Sequence, residues 1–269
     1  MLKIRFSKIF TALTGYKIVR SHVTTSRGRP KGPKPEFPVT TMHFVLIGLL
    51  AAKKKNLKIL QIGANDGKVN DPIYEFVQRF LNQTEILLLE PQPNVAQQLA
   101  ANYRSHPNAQ VIVKAIGDGG TINLYSVKRE VWGSLLVPYA NGWPEGRAAT
   151  GVVSSTYQHV ADWLLKYGQF DQGAVDGAIE CSSYETITVE EILQNNPGFR
   201  QLDVLQVDIE GSDHHAVSAV LDAGLRPLVI NFESANLMPS DLEGCLTLLE
   251  RAGYACFPSN MDTLCINLE

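Results

Sequence analysis

The chain has 269 residues, 45% of them hydrophobic, enough to bury a full core and suited to one large α/β domain with an appendage. Its net charge of −3 hides an asymmetry: every charged residue before Glu36 is a Lys or Arg, so the rest of the chain is distinctly acidic. An acidic body presents the wrong field to a phosphate backbone, which argues against nucleic acid as a substrate.

At the amino terminus Leu2, Phe6, Ile9, Leu13 and Tyr16 recur at helical spacing among the cations. The pattern suits a membrane surface or an organelle-targeting segment, and a solvated basic tail is the plain alternative. The Pro- and Gly-rich stretch that follows reads as a linker, so residues 1–40 are expected to be a basic extension and 41–269 the main domain. The apolar run Phe44–Ala52 is shorter than the roughly 18 residues of a spanning helix. A cytoplasmic protein, at most peripheral at a membrane surface, is expected. Cys181, Cys245, Cys256 and Cys265 show no Cys-x-x-Cys spacing, which indicates neither a zinc ribbon nor a disulfide framework and favours a reducing compartment.

From Leu57 the chain alternates short β-rich runs with helical patterns. Leu57–Ile62 is the first predicted strand and Glu85–Glu90 the second, nearly all apolar as a strand buried on both faces should be. Asp71 before Pro72 predicts a helix start, with Ile73, Phe76, Val77 and Phe80 as its apolar face. Val95, Leu99 and Tyr103, four apart, predict the next helix. Residues 109–117, 121–127, 202–211 and 227–233 read as further strands. Ser240 and Glu243 form a capping-box pattern before a helix ending at Gly253, and a terminal strand pair closes the chain. This alternation predicts an α/β fold with a doubly wound, mostly parallel sheet.

In such a sheet ligands sit beyond the carboxyl ends of the strands, where the chain order reverses, and the turn from Gly63 to Gly67 lies there. Its two glycines allow a tight turn, and N–H groups freed before the next helix favour a carboxylate or phosphate, although many such turns need glycine only for packing. Neither the dinucleotide pattern G-x-G-x-x-G nor the phosphate loop G-x-x-x-x-G-K-[ST] is present, which disfavours a nicotinamide oxidoreductase. Glu90 ends the second predicted strand, where a carboxylate accepts both hydroxyls of a ribose. Asp118, at the end of the third, is placed to accept from an adenine amine. One small-residue turn and two strand-end acids describe a nucleoside site with no phosphate requirement, which S-adenosylmethionine fits.

The segments LQIGANDG, LLLEPQPNVAQQL, VIVKAIGDGG, LDVLQVDIEGSDHHAV and VINFE occur in an order and spacing that resemble the FkbM family of S-adenosylmethionine-dependent methyltransferases, over about Leu57 to Ile266. The resemblance implies a seven-stranded, Rossmann-like sheet and methyl transfer, typically to a hydroxyl on a sugar or natural product. By position, it implies that Gly63, Asn65 and Gly67 contact the methionine part, that Glu90 holds the ribose, and that Asp118 with Ile116 or Gly117 frames the adenine. Two features depart from the family: the residues KVND enlarge the loop after the glycine turn, and Thr188 stands where an acid is common. Thr188 and Glu191 instead form a capping-box pattern.

Chemistry is expected near the fourth and fifth strands, where Asp208, Glu210 and Glu233 end neighbouring predicted strands. They suit either a general base with hydrogen-bonding partners or an oxygen-rich site for Mg2+. His214 and His215 follow at the next helix start, and either is a candidate proton acceptor; helix-start residues also serve merely as caps. Trp132, Trp143 and Trp163 fall within residues 128–185 with Tyr139, Tyr157 and Tyr167, which suggests an aromatic lid for a glycan or other small-molecule acceptor, or else a small satellite core. His159 reads as structural. The competing class, a catalytically inactive methyltransferase-like binding or membrane-adaptor protein, should have lost the site acids; Gly63, Glu90 and Asp208 are present.

Overall fold

The computed structural model describes residues 41–53, 56–168 and 170–268, so the basic extension and linker expected over residues 1–40 lie outside the described residues. The described residues divide into two compact units, with the boundary after Asn56. In the first unit helix α1 (Thr41–Lys53) contains the apolar run. Among the described residues no helix is long and apolar enough to cross a membrane.

The second unit runs β1 (Leu57–Ile62), α2 (Tyr74–Arg79), β2 (Thr84–Leu89), α3 (Pro93–Tyr103), β3 (Ala109–Ile112), β4 (Ala115–Ile116) and β5 (Thr121–Val127). Then come α4 (Arg147–Thr150), α5 (Tyr157–Tyr167), α6 (Gln172–Ala178), β6 (Ile179–Ile187), α7 (Val189–Asn195) and β7 (Val204–Val207). It closes with α8 (Asp213–Asp222), β8 (Val229–Glu233), α9 (Pro239–Arg251), β9 (Tyr254–Ser259) and β10 (Asp262–Asn267). Seven strands form one sheet in the order β3-β2-β1-β7-β8-β10-β9, parallel except for β10, which runs antiparallel to both neighbours. The order reverses at β1: Ile62 pairs with Leu89 on one side and Val207 on the other. The turns after Ile62, Leu89 and Val207 therefore meet at one carboxyl edge.

Leu60, Ile62, Leu87, Leu89 and Val207 share one core cluster with Ile192, Val217, Val220 and Leu249 of helices α7, α8 and α9. The alternate residues Leu57, Ile59, Ile86 and Leu88 are buried as well, and strand alternation puts them on the opposite face. At about 1.5–3 kcal/mol per fully buried aliphatic side chain, these strands are held on both sides, which is why they read as continuous apolar runs.

Among the described residues three strands lie outside this sheet, in the order β4-β6-β5. The strand expected over 109–117 is in fact two: β3 pairs with β2, while β4 pairs with β6. The break falls at half-exposed Val113 and at Lys114, whose ammonium pairs with Glu185 of β6. Residues 128–185 hold the satellite core that was the alternative to a lid. Val160, Trp163, Leu164, Val175 and Ile179 build a core of their own there, and the expected limit at residue 185 cuts through β6.

Local signals fared unevenly. The Thr188–Glu191 capping box is formed. The Ser240–Glu243 box is not: Pro239, a residue suited to the first helical position, opens α9 two residues earlier, and Met238 is the N-cap. Asp71 does receive the first amides of α2, from Ile73 and Tyr74 at 2.9 and 2.6 Å, but the regular helix begins at Tyr74 rather than Pro72. Cys256 and Cys265 face each other across the β9–β10 pair and form a disulfide, against the expectation of unpaired cysteines. Strand register brings them together, so no short cysteine motif announces the pairing.

Candidate active site

The glycine turn sits where β1 and β7 diverge. Gly63 has φ +79°, and a Cβ there would run into the carbonyl of Asp208, so the closeness of the two strand ends requires glycine. Gly67, φ +62°, faces Leu99 and Tyr103 of α3, a packing role. Between them Asn65 adopts φ +47°, a conformation asparagine tolerates. The expectation of free N–H groups in this turn is corrected. Gly63 and Ala64 donate to the carbonyl of Leu89, Gly67 to that of Ala64, Asn65 to Glu90, Asp66 to the Asn65 side chain, and Lys68 and Val69 to the Asp66 carboxylate. The long polar loop consumes its own donors.

Glu90, 3% exposed, follows β2 beside this turn. Its carboxylate accepts from the amides of Asn65 at 3.0 Å and Gln92 at 2.9 Å and from the Gln92 side chain. Burial outweighs these bonds and pushes its pKa up to about 7. Asp118 sits elsewhere: exposed, in the turn between β4 and β5, it accepts from the Gly120 amide at 3.1 Å and the Thr186 hydroxyl at 3.4 Å. Gly117 beside it packs on Thr186. Because the third main strand ends at Ile112, these two residues belong to the small sheet. That sheet borders the site through Tyr184 of β6, whose phenol is raised by burial and, further, by the charge of Glu90.

At the ends of β7 and β8 the sequence-predicted acids do converge: one carboxylate oxygen each from Asp208, Glu210 and Glu233 lie within 4.8 Å of one another. Glu210, at φ +53°, has left the strand, and this bend turns it toward Glu233. Asn236 bridges the two, donating to Glu210 at 2.8 Å and Glu233 at 2.9 Å. His159 of α5 lies 3.0 Å from the same Glu210 oxygen, so this histidine belongs to the cluster rather than to the insertion's core. Desolvation, then the charges of Glu233 and Glu210, push Asp208 well above the usual carboxylate range. Solvent reaches Asp208, so the crowding of like charge is the firmer cause. Burial and Glu210 raise Glu233 likewise. Asp213, fully buried at the start of α8, accepts from the Ile209 amide, has one oxygen without a partner, and is raised to about 7 by burial.

His214 is not part of this group. It stacks on His215 with ring centroids 3.8 Å apart, burial lowers its pKa, and the charged neighbours it senses are His215 and Asp241.

The insertion reaches back over the glycine turn. Arg147 of α4 donates from Nε to Asp66 at 3.1 Å and from Nη2 to the Val69 carbonyl at 2.8 Å. The Thr150 hydroxyl donates to Asn65, and the Thr150 carbonyl accepts from Gln92. Trp143 lies against the Arg147 guanidinium, with Tyr139 edge-on to it. A cavity of about 390 Å3 is lined by Trp132, Val137, Trp143, Gly146 and Ala149. Trp163, by contrast, is buried in the insertion's core, its indole N–H donating to Tyr139. Arg147, His159 and Asn236 carry no local sequence signature; Asp213, three residues after Glu210 at a helix start, did.

A family model for the FkbM methyltransferase domain matches residues 61–256. The chain belongs to the FkbM methyltransferase family. No curated protein matches this FkbM-family chain. Among solved structures it is similar to a precorrin-6y C5,15-methyltransferase from Geobacter metallireducens GS-15, at 12% identity over 79% of each chain with TM-score 0.37. It is also similar to the METTL16 MTase domain, at 11% identity over 85% of this chain and 66% of that one with TM-score 0.42. A third similarity is to Aeropyrum pernix fibrillarin with natively bound S-adenosyl-L-methionine, at 13% identity over 79% of this chain and 66% of the other with TM-score 0.34.

Proposed function

We propose that the protein transfers a methyl group from S-adenosylmethionine to a hydroxyl of a small-molecule or glycan acceptor, such as a sugar, a glycolipid or a natural product, rather than to nucleic acid. The observation that carries this reading is the convergence of Asp208, Glu210 and Glu233 beside the Gly63 turn, at the edge where the strand order reverses. The donor set fits the cofactor: Glu90 offers a buried carboxylate to a ribose diol, and Gly63 and Asn65 line the path from it to the acids.

When bound, the cofactor supplies an electrophilic methyl group. The chain must align an acceptor oxygen with it, exclude water and remove one proton. Asp208, reachable by solvent at the end of β7, is placed to receive the acceptor's proton. Glu210, held by His159 and Asn236, and Glu233, held by Asn236, fix the geometry around it. Tyr139 of the insertion, half-exposed, supplies an aromatic face for the acceptor.

The test is methyl transfer from labelled cofactor to a panel of hydroxylated acceptors, with Mg2+ or a chelator as parallel arms. Asp208→Asn is expected to lower turnover by about 100-fold or more while leaving S-adenosylhomocysteine affinity unchanged. Loss of cofactor affinity in a folded variant would refute this division of roles. Unchanged turnover would shift the weight to an inactive, methyltransferase-like binding protein, and chelator sensitivity to the metal reading.

A further inference from the structure

The amino-acid end of S-adenosylmethionine carries a carboxylate and an ammonium, and each needs a partner. The turn after β1 is the expected seat, yet its amides from Gly63 to Val69 are all spent on internal acceptors. The first amides of α2 are likewise taken by Asp71.

The insertion supplies what the turn lacks. We propose that the Arg147–Asp66 ion pair is the receptor for the amino-acid end of the cofactor, with the guanidinium taking the carboxylate and Asp66 the ammonium. This inference rests on the cofactor reading above and deepens it. The pair is close, 3.1 Å, and sheltered, with side chains 14% and 11% exposed. Each member keeps one free edge: among the described residues Arg147 Nη1 and Asp66 Oδ2 make no hydrogen bond, and neither is sealed from solvent. Trp143 against the guanidinium and the Val69 carbonyl on Nη2 fix its plane, so the free edge is preorganised.

The pair is also tied to the ribose side of the site. Helix α4 ties the turn after β1 to the turn after β2 through Thr150, which bonds both Asn65 and Gln92. The charge of Arg147 is felt at Glu90, the ribose acid, and at Tyr139, which in turn senses Glu210. Arg147 thus lies over the turn that joins the β1 end to Glu90, through Asp66 and, by way of α4, Thr150. A purely structural role would be to pin the insertion to the turn, and a ligand pair separates the two.

S-adenosylhomocysteine and 5′-methylthioadenosine share the nucleoside and thioether, but the second lacks the amino acid. Calorimetric titration of the full chain with each would be made for the wild type, Arg147→Gln and Arg147→Lys, with thermal melts as the check on folding. Arg147→Gln is expected to weaken S-adenosylhomocysteine about 10- to 100-fold and to leave 5′-methylthioadenosine within about twofold. Arg147→Lys, which keeps the charge, should recover part of the loss and carries the comparison if the glutamine variant fails to fold. Equal losses for both ligands, or no loss for S-adenosylhomocysteine, would overturn the proposal. A wild type that binds neither ligand would overturn the cofactor reading itself, and this inference with it.

Discussion

Glu90→Gln tests the cofactor side of the site without enlarging or emptying it. Burial raises the Glu90 carboxyl from 4.5 to about 7, against the pull of three hydrogen bonds. A shift of that size penalises the charged folded form by roughly 3 kcal/mol. The folded state holds this proton more tightly than the unfolded chain, so the associated stability is fully present below pH 4.5 and is lost as pH rises through about 7. Other buried carboxyls, Asp213 and Glu233 among them, bend the wild-type curve the same way, so only the difference between wild type and variant isolates Glu90. In the variant one N–H of the new side-chain amide must face a backbone donor, a cost of about 1–3 kcal/mol that does not vary with pH. Urea denaturation of the ligand-free proteins at pH 5, 6, 7 and 8 should show the wild-type advantage shrinking by about 2–3 kcal/mol across that range. A difference that stays constant with pH would refute the reasoning. The same group predicts that S-adenosylhomocysteine binds the wild type more tightly as pH rises through 7, since ribose hydroxyls donate best to the ionised carboxylate, and that the variant lacks this trend.

His159→Ala removes one of the two donors on Glu210, and turnover is expected to fall about tenfold with a displaced pH–rate profile and unchanged cofactor affinity. His159→Gln, which keeps a donor, should restore most of it; an identical pH profile in all three proteins would show that the contact positions nothing. Gly63→Ala places a methyl group against the Asp208 carbonyl at φ +79°, and about 2–4 kcal/mol of stability should be lost in denaturant melts. A loss under about 0.5 kcal/mol would mean that β1 and β7 do not meet as described. Reduction of Cys256–Cys265 is expected to cost about 2–3 kcal/mol, read as a lower denaturation midpoint in reductant. A thiol titration that finds all four cysteines free before reduction would sink that prediction.

Much of the main sheet was legible because its strands are buried on both faces. Leu57–Ile62 and Glu85–Glu90 read as apolar runs, and once the strands are known, the residues at their carboxyl ends follow. Gly63, Glu90, Asp208 and Glu233 were reached that way. The second sheet was hidden for the converse reason. Strand β6 contains Glu180, Ser182, Ser183 and Glu185, and its mostly open faces leave no apolar run to recognise. Asp118 was misplaced with it, because a chain that changes sheets at Val113 and Lys114 looks like one strand in sequence.

The sequence by itself therefore determined the α/β alternation, the family, the glycine turn and the acids that end β7 and β8, since each depends on residues adjacent in the chain or on strand identity. Only the tertiary structure decided that His159 belongs with Glu210, 51 residues away, that Arg147 covers Asp66, 81 residues away, and that Cys256 meets Cys265. The first two contacts are long-range products of how the insertion folds back on the sheet, and the third is a product of strand register. The hydrogen-bond inventory of the glycine turn belongs to the same group. Which amides are free depends on where every acceptor around them ends up, and that is a property of the packed chain rather than of any stretch of it.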